Sequence, residues 1–243
     1  MNTKPKKISV IILALILLAS LAALSYTSKI PHIFWCHIYG GMTDELKDSS
    51  LYTDMESGSS FCFIGDSITY GTLTNGVGWY APLEPYIKGD VYEYAYGRWT
   101  TDNIISGLED IPAADIYVIA VGVNDVIITG ISPEEYAANM ETITEGILSS
   151  NPGSKFYFIA PWPAFNASEE TNNGLQELSE ALADFCSTSD CVFIDPCGII
   201  RSVIAEEGYD TYMYDWVHPN VNKGIGLYSY SVLYADHMNS SAA

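Results

Sequence analysis

From residue 61 onward, short apolar segments rich in β-branched and aromatic residues alternate with longer amphipathic segments. This alternation is typical of a parallel β-sheet covered by helices, because each buried strand must be followed by a crossover to the next one. The predicted strands are Phe61–Gly65, Val91–Tyr94, Ile116–Val121, Lys155–Ala160 and Cys191–Ile194. A chain of 243 residues has room for one α/β domain of this kind and a short appendage.

The amphipathic segments predict helices at 78–88, 101–109, 133–149 and 171–187, with a final one at 223–238. The third has the clearest start, because Ser132 can cap it, Pro133 suits its first position and Glu135 completes a capping box. In open parallel sheets, ligands bind beyond the carboxyl ends of the strands. The loops that follow the strands are therefore where we expect the chemistry.

Residues 1–30 have the pattern of a membrane-targeting segment. Three lysines at positions 4, 6 and 7 precede an uncharged apolar run of 17 residues at 8–24, and this length fits either an uncleaved anchor, which we favour, or a cleaved signal. Lysines on this flank stay in the cytoplasm, so the body is expected to be extracytoplasmic. We expect a juxtamembrane linker at 31–58 and the folded domain at 59–243.

The charge of the body limits its partners. From residue 51 onward, five basic residues face 27 acidic ones, within a total net charge of −20. Such a surface repels phosphate backbones and anionic lipid headgroups. Nucleic acid is therefore excluded as a partner, and contact with a membrane is expected through the N-terminal segment only. No protein partner can be inferred.

The five cysteines are an odd number, at positions 36, 62, 186, 191 and 197. Cys186 and Cys191 are candidates for a short-loop disulfide in an oxidising compartment, and buried free thiols are the alternative. Neither the cysteine nor the histidine spacing indicates a zinc site.

Polar turns follow the first three predicted strands. Ser67 comes just after the first, in Gly-Asp-Ser, and could be a nucleophile. Gly97 follows the second and would let a backbone N–H approach a substrate. Asn124 follows the third, in Gly-Val-Asn-Asp, and its neutral amide suits a developing oxyanion. Taken one at a time, each motif also fits an ordinary turn.

His218 is the histidine embedded in the body, in Asp-Trp-Val-His-Pro. A hydroxyl nucleophile needs a base whose pKa lies near the working pH, and histidine supplies one. Asp215, three residues earlier, could accept a hydrogen bond from the other ring nitrogen and fix the tautomer. The sequence therefore contains the three groups of a serine hydrolase in two separate loops, one with Ser67 and one with Asp215 and His218.

In this order, the four blocks resemble the SGNH or GDSL hydrolase family, over about residues 60–235. The resemblance implies a three-layer α/β/α sandwich, flavodoxin-like, with a five-stranded parallel sheet and no metal or organic cofactor. It also implies Ser67 as nucleophile and His218 as base, oriented by Asp215. The implied oxyanion donors are the Ser67 and Gly97 backbone N–H groups and the Asn124 side chain.

Aromatic residues near the predicted loops are candidates for substrate binding. These are Tyr70, Trp99, Trp162 and Trp216, and ordinary packing is the alternative for each. Arg98 could pair with an anionic group of the substrate, but the abundance of acidic residues favours an internal ion pair. The Gly97-Arg98 pair resembles family members that deacetylate polysaccharides.

The leading interpretation is a serine esterase that removes short acyl groups such as acetyl from a carbohydrate or another small ester. An extracytoplasmic O-acyltransferase on cell-wall polysaccharide would form the same acyl-enzyme and pass it to a sugar hydroxyl. A lipase or lysophospholipase is a third reading, and a non-catalytic wall-binding module a fourth. If a histidine is the base, activity should fall as the pH drops through about 6.5, the ordinary range of histidine.

Overall fold

The computed structural model describes residues 42–242, which contain one five-stranded, all-parallel sheet. Its strands are β1 (Phe61–Gly65), β2 (Val91–Ala95), β3 (Ile116–Ala120), β4 (Lys155–Ile159) and β5 (Cys191–Ile194). They lie in the order β2-β1-β3-β4-β5. The strand β2 is thus added on one side of β1, and β3 to β5 are added on the other side. This is the strand order of flavodoxin-like folds, and the predicted fold class is confirmed.

Nine α-helices surround the sheet within the described residues. They are α1 (Asp44–Lys47), α2 (Ser50–Glu56), α3 (Ser67–Tyr70), α4 (Thr101–Ser106), α5 (Pro133–Ser150), α6 (Glu169–Thr188), α7 (Cys197–Glu207), α8 (Tyr209–Tyr212) and α9 (Gly224–Ala242). Short 3-10 helices occur at Glu84–Tyr86 and Leu108–Asp110, and a π-helix at Asp125–Thr129. As predicted, Ser132 caps α5 by accepting from the Glu135 N–H, and Pro133 occupies the first turn.

The two faces of the sheet bury different side chains, because successive residues of a strand point to opposite sides. One face, with Ile64, Ile119 and Phe158, packs into the cluster that α4, α5 and α6 cover. On the other face, Phe63 of β1 stacks on Tyr80 at 4.1 Å and meets Trp79 edge-on at 5.9 Å. Helix α9 contacts α1, α2, α7 and β5. The central strands β1 and β3 are buried along their whole length.

The helix predicted at 78–88 does not form, and this prediction is wrong. Residues 78–83 form successive turns, followed by the 3-10 helix at Glu84–Tyr86. Prolines at 82 and 85 each remove a backbone donor, which prevents a regular helix. Trp79 in this segment is fully buried, and its Nε1 donates to Thr69 Oγ1 at 3.2 Å. The segment thus supports α3 from behind.

The linker predicted at 31–58 is folded where the structure describes it. Helices α1 and α2 bury Leu46, Leu51 and Met55 against the body. The Leu51 N–H donates to the buried Asp236 carboxylate of α9 at 2.7 Å. The compact unit therefore begins at Met42, not at residue 59.

The membrane-targeting segment expected at 1–30 lies outside the described residues, as does Cys36. Within residues 42–242, no helix combines the length and the apolar character needed to cross a bilayer.

Two further differences concern the last third of the chain. Helix α7 was not predicted, although Ile200 and Ile204 show the i, i+4 spacing of a buried helix face. Cys186 and Cys191 are free thiols in the structure, so the predicted disulfide between them is not formed. Cys186 is buried in the apolar cluster, as the alternative interpretation expected.

Candidate active site

The site lies where the direction of strand addition reverses, beyond the carboxyl ends of β1 and β3. In sheets of this type, the loops that follow these two strands diverge to opposite faces and leave a crevice. A Cβ on Gly65, the last residue of β1, would collide with the Ala120 carbonyl oxygen of β3 and with Thr69 Oγ1. Glycine is therefore needed here for β1 to turn into α3 so close to β3.

Ser67 is the first residue of the four-residue helix α3 and is almost fully buried. Asp66 caps this helix, because its Oδ1 accepts from the Ile68 N–H at 3.0 Å. The N–H of a first helical residue has no partner inside its helix, so the Ser67 N–H is free to bind a ligand. The capped turn fixes both the hydroxyl and the N–H of Ser67.

Asp66 is itself buried, and its second oxygen, Oδ2, has no partner among the described residues. Burial, with a smaller contribution from the nearby Asp125 carboxylate, raises the pKa of Asp66 to about 7. Asp125 is also fully buried, accepts from Thr101 with one oxygen and leaves the other without a partner. Two carboxyl groups thus lie in the protein interior directly behind the Ser67 and Asn124 turns.

His218 and Asp215 lie in one tight turn before α9. Asp215 Oδ1 accepts from the backbone N–H of Val217 at 2.9 Å and of His218 at 2.7 Å, which folds the turn. His218 Nδ1 lies 3.0 Å from both carboxylate oxygens of Asp215. On the other side of the ring, His218 Nε2 lies 2.8 Å from Ser67 Oγ, although the two residues are 151 positions apart. The three side chains form one continuous hydrogen-bonded chain.

The Asp215 carboxyl is held in its ionised form. Partial burial alone would raise its pKa, but hydrogen bonds from the His218 and Val217 N–H groups and from the His218 ring outweigh burial, and the pKa is lowered. An ionised Asp215 accepts a hydrogen bond from the Nδ1–H group of His218, which leaves Nε2 as the acceptor that faces Ser67.

Asn124 and Gly97 lie beside Ser67 in the same cleft. Asn124 Nδ2 donates to the Trp99 carbonyl oxygen at 2.9 Å, which fixes the plane of the amide and leaves its second N–H uncommitted. The Gly97 N–H makes no hydrogen bond with any residue in 42–242. A Cβ on Gly97 would meet Thr72 Oγ1 at 3.2 Å at the edge of the cleft.

The cleft has a volume of about 1140 Å³. Ser67, His218, Gly97 and Asn124 line it, together with an apolar wall and an acidic end. The π-helix at Asp125–Thr129 and the residues that follow it supply most of the apolar wall, whereas the first turns of α6 contribute Glu169, Glu170 and Glu177. No group of three or more possible metal ligands occurs among the described residues, and the expectation that no cofactor is needed stays a prediction.

The structure separates the three tryptophans that the sequence offered for substrate binding. Trp216 is 40% exposed and lines the cleft beside His218. Trp162 is fully buried between Trp79 and Tyr228, so its assignment to substrate is wrong. The Trp99 ring packs against Tyr94 at 5.0 Å and against the apolar cluster, and its backbone carbonyl, not its ring, reaches the site.

Arg98 also differs from the favoured sequence expectation. It forms no ion pair with any residue in 42–242, although an internal pair was the preferred prediction. It lines the cleft next to Gly97, and its φ of 68° lies in the left-handed region. A bulky residue in that region costs about 1 to 3 kcal/mol.

The apolar wall of the cleft is not predicted from the sequence. Ile127 and Ile128 in the π-helix are large apolar side chains exposed to solvent, with Ile128 45% exposed. One signal was available, because an apolar Val-Ile-Ile run follows Asn124 and Asp125 directly and ends at Gly130. A π-helix is a local distortion of hydrogen bonding that residue types alone do not specify.

The sequence of residues 63–222 matches the GDSL-like lipase/acylhydrolase family. The chain belongs to this family. The match covers every residue of the hydrogen-bonded chain and both neighbouring loops, and it confirms the resemblance found from the four sequence blocks. This GDSL family member is an ester-cleaving hydrolase.

Solved structures show the same fold. Axe2, an acetylxylan esterase from Geobacillus stearothermophilus, superposes with a TM-score of 0.63 at 19% identity, over 75% of this chain and 96% of that one. LAE5, an alpha/beta hydrolase enzyme from the metagenome of Lake Arreo, Spain, gives a TM-score of 0.61 at 18% identity, over 74% and 95%. No curated protein matches this chain in sequence.

Proposed function

We propose that this GDSL hydrolase is a serine esterase that forms an acyl-enzyme on Ser67 and releases short acyl groups, such as acetyl, from carbohydrate. The observation that carries the proposal is the hydrogen-bonded chain from Ser67 Oγ through His218 to Asp215 in an open cleft. A buried serine hydroxyl that already contacts a neutral imidazole nitrogen is placed to lose its proton as it attacks.

In the first half of the reaction, Ser67 Oγ attacks the ester carbonyl while His218 Nε2 takes the hydroxyl proton. The carbonyl oxygen becomes an oxyanion, which the N–H groups of Ser67 and Gly97 and the Asn124 amide are placed to bind. His218 then gives its proton to the leaving alcohol oxygen as the carbon–oxygen bond breaks. Asp215 stabilises the charged imidazole throughout.

In the second half, water takes the place of the alcohol. His218 removes one proton from this water, its oxygen attacks the acyl carbon, and the same three donors bind the second oxyanion. The proton returns to Ser67 Oγ as the acyl group leaves as a carboxylic acid, so the enzyme is regenerated. No other reactant is required.

The shape of the cleft and the nature of the relatives support a carbohydrate ester. Trp216 presents an exposed aromatic side chain beside His218, and aromatic faces pack well against the apolar faces of sugar rings. Axe2, which shares the fold, is an acetylxylan esterase. A short acyl group would leave most of the 1140 Å³ cleft to the rest of the substrate.

One observation favours a second candidate, an acylhydrolase for longer chains. Ile127 and Ile128 expose apolar surface on the wall that follows Asn124, where an acyl chain could extend from the oxyanion site. Burying each additional CH₂ on such a wall contributes about 0.8 kcal/mol, so activity would increase with chain length.

The test is hydrolysis of p-nitrophenyl acetate and p-nitrophenyl decanoate by the purified chain and by Ser67→Ala. We expect faster cleavage of the acetate and a loss of at least about 1000-fold in kcat in the variant. Faster cleavage of the decanoate would replace the proposal with the second candidate. Equal rates in the wild type and in Ser67→Ala would reject Ser67 as the nucleophile.

We also propose that the reaction takes place outside the cytoplasmic membrane. The support is the lysine-flanked apolar run at 8–24. The test joins residues 1–41 to alkaline phosphatase, which requires the oxidising exterior for its disulfides. An active fusion is expected in bacterial cells, and an inactive but intact fusion would contradict the proposal.

A further inference from the structure

The body has few cations, and nearly all of them are used internally. Lys88 pairs with Glu56, Lys155 pairs with Asp54, Arg201 donates to Ala164 and Asn172, and Lys223 lies over the Tyr212 ring. Arg98 makes no ion pair, hydrogen bond or ring contact with any residue in 42–242. An arginine thus has no partner among the described residues of a body with 27 acidic residues.

Arg98, which has no partner within residues 42–242, lies in the active-site cleft. It lines the cleft directly after Gly97, which lines the same cleft. Its left-handed backbone, with φ of 68°, would suit glycine or asparagine better than arginine. Strained residues of this kind cluster at ligand sites, where the surrounding structure holds them.

An exposed pair of aromatic rings adjoins this arginine. Tyr96 precedes Gly97 and is 57% exposed, and its ring centroid lies 5.2 Å from that of Tyr70, which is 38% exposed. Two large exposed rings in contact form a surface on which a sugar ring can stack. Arg98 follows Tyr96 by two residues, so the two backbones lie within about 7 Å of each other. At this distance, the long arginine side chain is within reach of a charged group on a sugar bound at Tyr96.

The rest of the cleft disfavours an anion. Its far end carries Glu169, Glu170 and Glu177, and Arg98 is the one lysine or arginine among the described residues that line it. An anionic sugar would therefore be repelled at the α6 end and attracted at the Arg98 end. This polarity would orient a chain of sugars along the cleft.

We infer that Tyr70, Tyr96 and Arg98 form a subsite for a hexuronate unit next to the acylated sugar, so that the substrate is an acidic acylated glycan. The ring would stack on the two tyrosines, and its carboxylate would accept two parallel hydrogen bonds from the guanidinium. A uronate fits better than a phosphodiester-linked polymer, because it carries ring and charge in a single unit. This inference rests on the proposed esterase function.

The experiment compares acetylated oligogalacturonide with the same oligomer after its carboxyl groups are reduced to alcohols. For the wild-type chain at pH 7.5 and about 0.15 M NaCl, which screens the repulsion between the acidic body and the oligomer, we expect kcat/KM about fivefold higher on the acidic oligomer. Arg98→Gln should abolish this ratio, whereas Arg98→Lys should keep part of it. Lys88→Gln, which removes the same charge far from the cleft, should keep the wild-type ratio. Tyr96→Ala should raise KM on both oligomers.

The outcomes separate this inference from the proposed function. Failure of the wild type to cleave p-nitrophenyl acetate would contradict the esterase itself. Cleavage of that ester with a ratio of one on the two oligomers would overturn the uronate subsite alone. A fivefold ratio that survives Arg98→Gln would also overturn it, since the preference would then have another source.

Discussion

At the scale of single residues, Asn124 connects two parts of the site. One N–H of its amide is used to hold the Trp99 carbonyl at 2.9 Å, and the other is left for the oxyanion. Because the amide plane is fixed before substrate arrives, the donor needs little reorganisation during the reaction. The local fold of the β2–α4 connection and the stabilisation of the transition state therefore depend on the same side chain.

We expect Asn124→Ala to lower kcat by about 100-fold to 1000-fold with little change in KM, since the oxyanion forms after substrate binding. Asn124→Asp keeps the shape of the side chain but turns the donor into an anion, and it should lose more activity than alanine does. Steady-state kinetics on p-nitrophenyl acetate would measure both. A loss confined to KM would argue that Asn124 binds the ground state instead.

The buried Asp66 should make stability depend on pH. Burial raises its pKa to about 7 in the folded chain, whereas the unfolded value is about 3.9. Between these values the unfolded chain releases the proton and the folded chain keeps it, so stability falls as the pH rises through this window. Above pH 7 the Asp66 carboxyl is ionised in both states, and its contribution to the free energy of unfolding no longer changes with pH.

Asp66→Asn keeps a side-chain oxygen for the Ile68 N–H but cannot ionise. Urea unfolding at pH 5 and pH 8 should show the wild type losing more free energy between the two pH values than the variant, by roughly 2 to 4 kcal/mol. The pKa of Asp236 is also raised, but Asp236 is present in both proteins, so its effect cancels in the comparison. Parallel losses in the two proteins would mean that Asp66 does not titrate in this window.

At the scale of elements, α1 and α2 belong to the folded body. Besides burying Leu46, Leu51 and Met55, they complete a polar network beneath β4, where Asp54 accepts from Lys155 at 2.6 Å and from the Tyr157 hydroxyl at 2.7 Å. Asp236 accepts hydrogen bonds from the Ser50 hydroxyl and from the Leu51 N–H, and both donors lie in α2. Buried polar groups that lose their partners are costly, in addition to the lost apolar burial.

A chain that begins at residue 59 should therefore be several kcal/mol less stable than one that begins at residue 42. Thermal unfolding followed by circular dichroism would measure the difference. A chain that begins at Ser49 keeps α2 and its polar contacts but lacks α1, and it should fall between the two. Identical unfolding temperatures for the chains that start at 42 and 59 would support residue 59, predicted from the sequence, as the start of the folded domain.

The π-helix that forms the apolar wall rests on α6 at a glycine. A Cβ on Gly174 would approach Val126 Cγ1 to 2.9 Å, which is too close unless the wall moves. Gly174→Ala should thus cost about 1 to 3 kcal/mol of stability and reduce kcat/KM by about tenfold through displacement of the wall. Gly198→Ala, where a Cβ meets nothing within 4 Å, is the matched control and should be neutral or slightly stabilising. Equal effects of the two substitutions on kcat/KM would show that the position of the π-helix does not affect activity.

The elements also show which parts of the structure the sequence specifies. All five strands are predicted to within a residue. For β1, β3 and β4 the reason is that strands buried on both faces leave unbroken apolar runs. The helix predicted at 78–88 is wrong because the apolar residues of this segment are buried in a turn around Trp79 and do not form one face of a helix. Helix α7 and the π-helix were missed, since the first begins with Cys and Gly and the second follows from tertiary packing.

For the site, the order of motifs is sufficient to bring Ser67 and Asn124 together, because parallel strands deliver their following loops to one edge. His218 follows α8 and not a strand, so its place beside Ser67 is expected only from the family resemblance. The surroundings were not predictable to the same degree. Whether a tryptophan faces solvent, as Trp216 does, or the core, as Trp162 does, depends on side-chain packing between distant segments. For the same reason, the sequence does not show that Arg98 has no ion-pair partner within residues 42–242.

At the scale of the whole molecule, the excess of negative charge dominates. With 27 acidic and five basic residues after residue 50, surface carboxylates repel one another across the body. The few ion pairs that form among the described residues include one, Lys155–Asp54, tied into a hydrogen-bond network. The net effect of charge on stability should therefore be unfavourable at neutral pH.

Raising NaCl from 10 to 300 mM should raise the unfolding temperature by several degrees at pH 7.5, because the screening length falls from about 30 Å to well under 10 Å. Near pH 4, where many carboxyl groups are protonated, the same addition should have little effect. Calorimetry at both pH values would measure this. A falling midpoint at pH 7.5 would indicate that attractive pairs outweigh the repulsion.

The separation of 151 positions between Ser67 and His218 also suits the chain to use as a split reporter. The turn at 151–154 exposes Pro152 and Gly153 and joins α5 to β4 between the two residues. If the chain is cut at this turn, one fragment contains the nucleophile and the other contains the base. Neither fragment alone would hydrolyse a chromogenic ester. Signal would return only when β3 and β4 pair again, so two proteins fused to the fragments would report their encounter as colour.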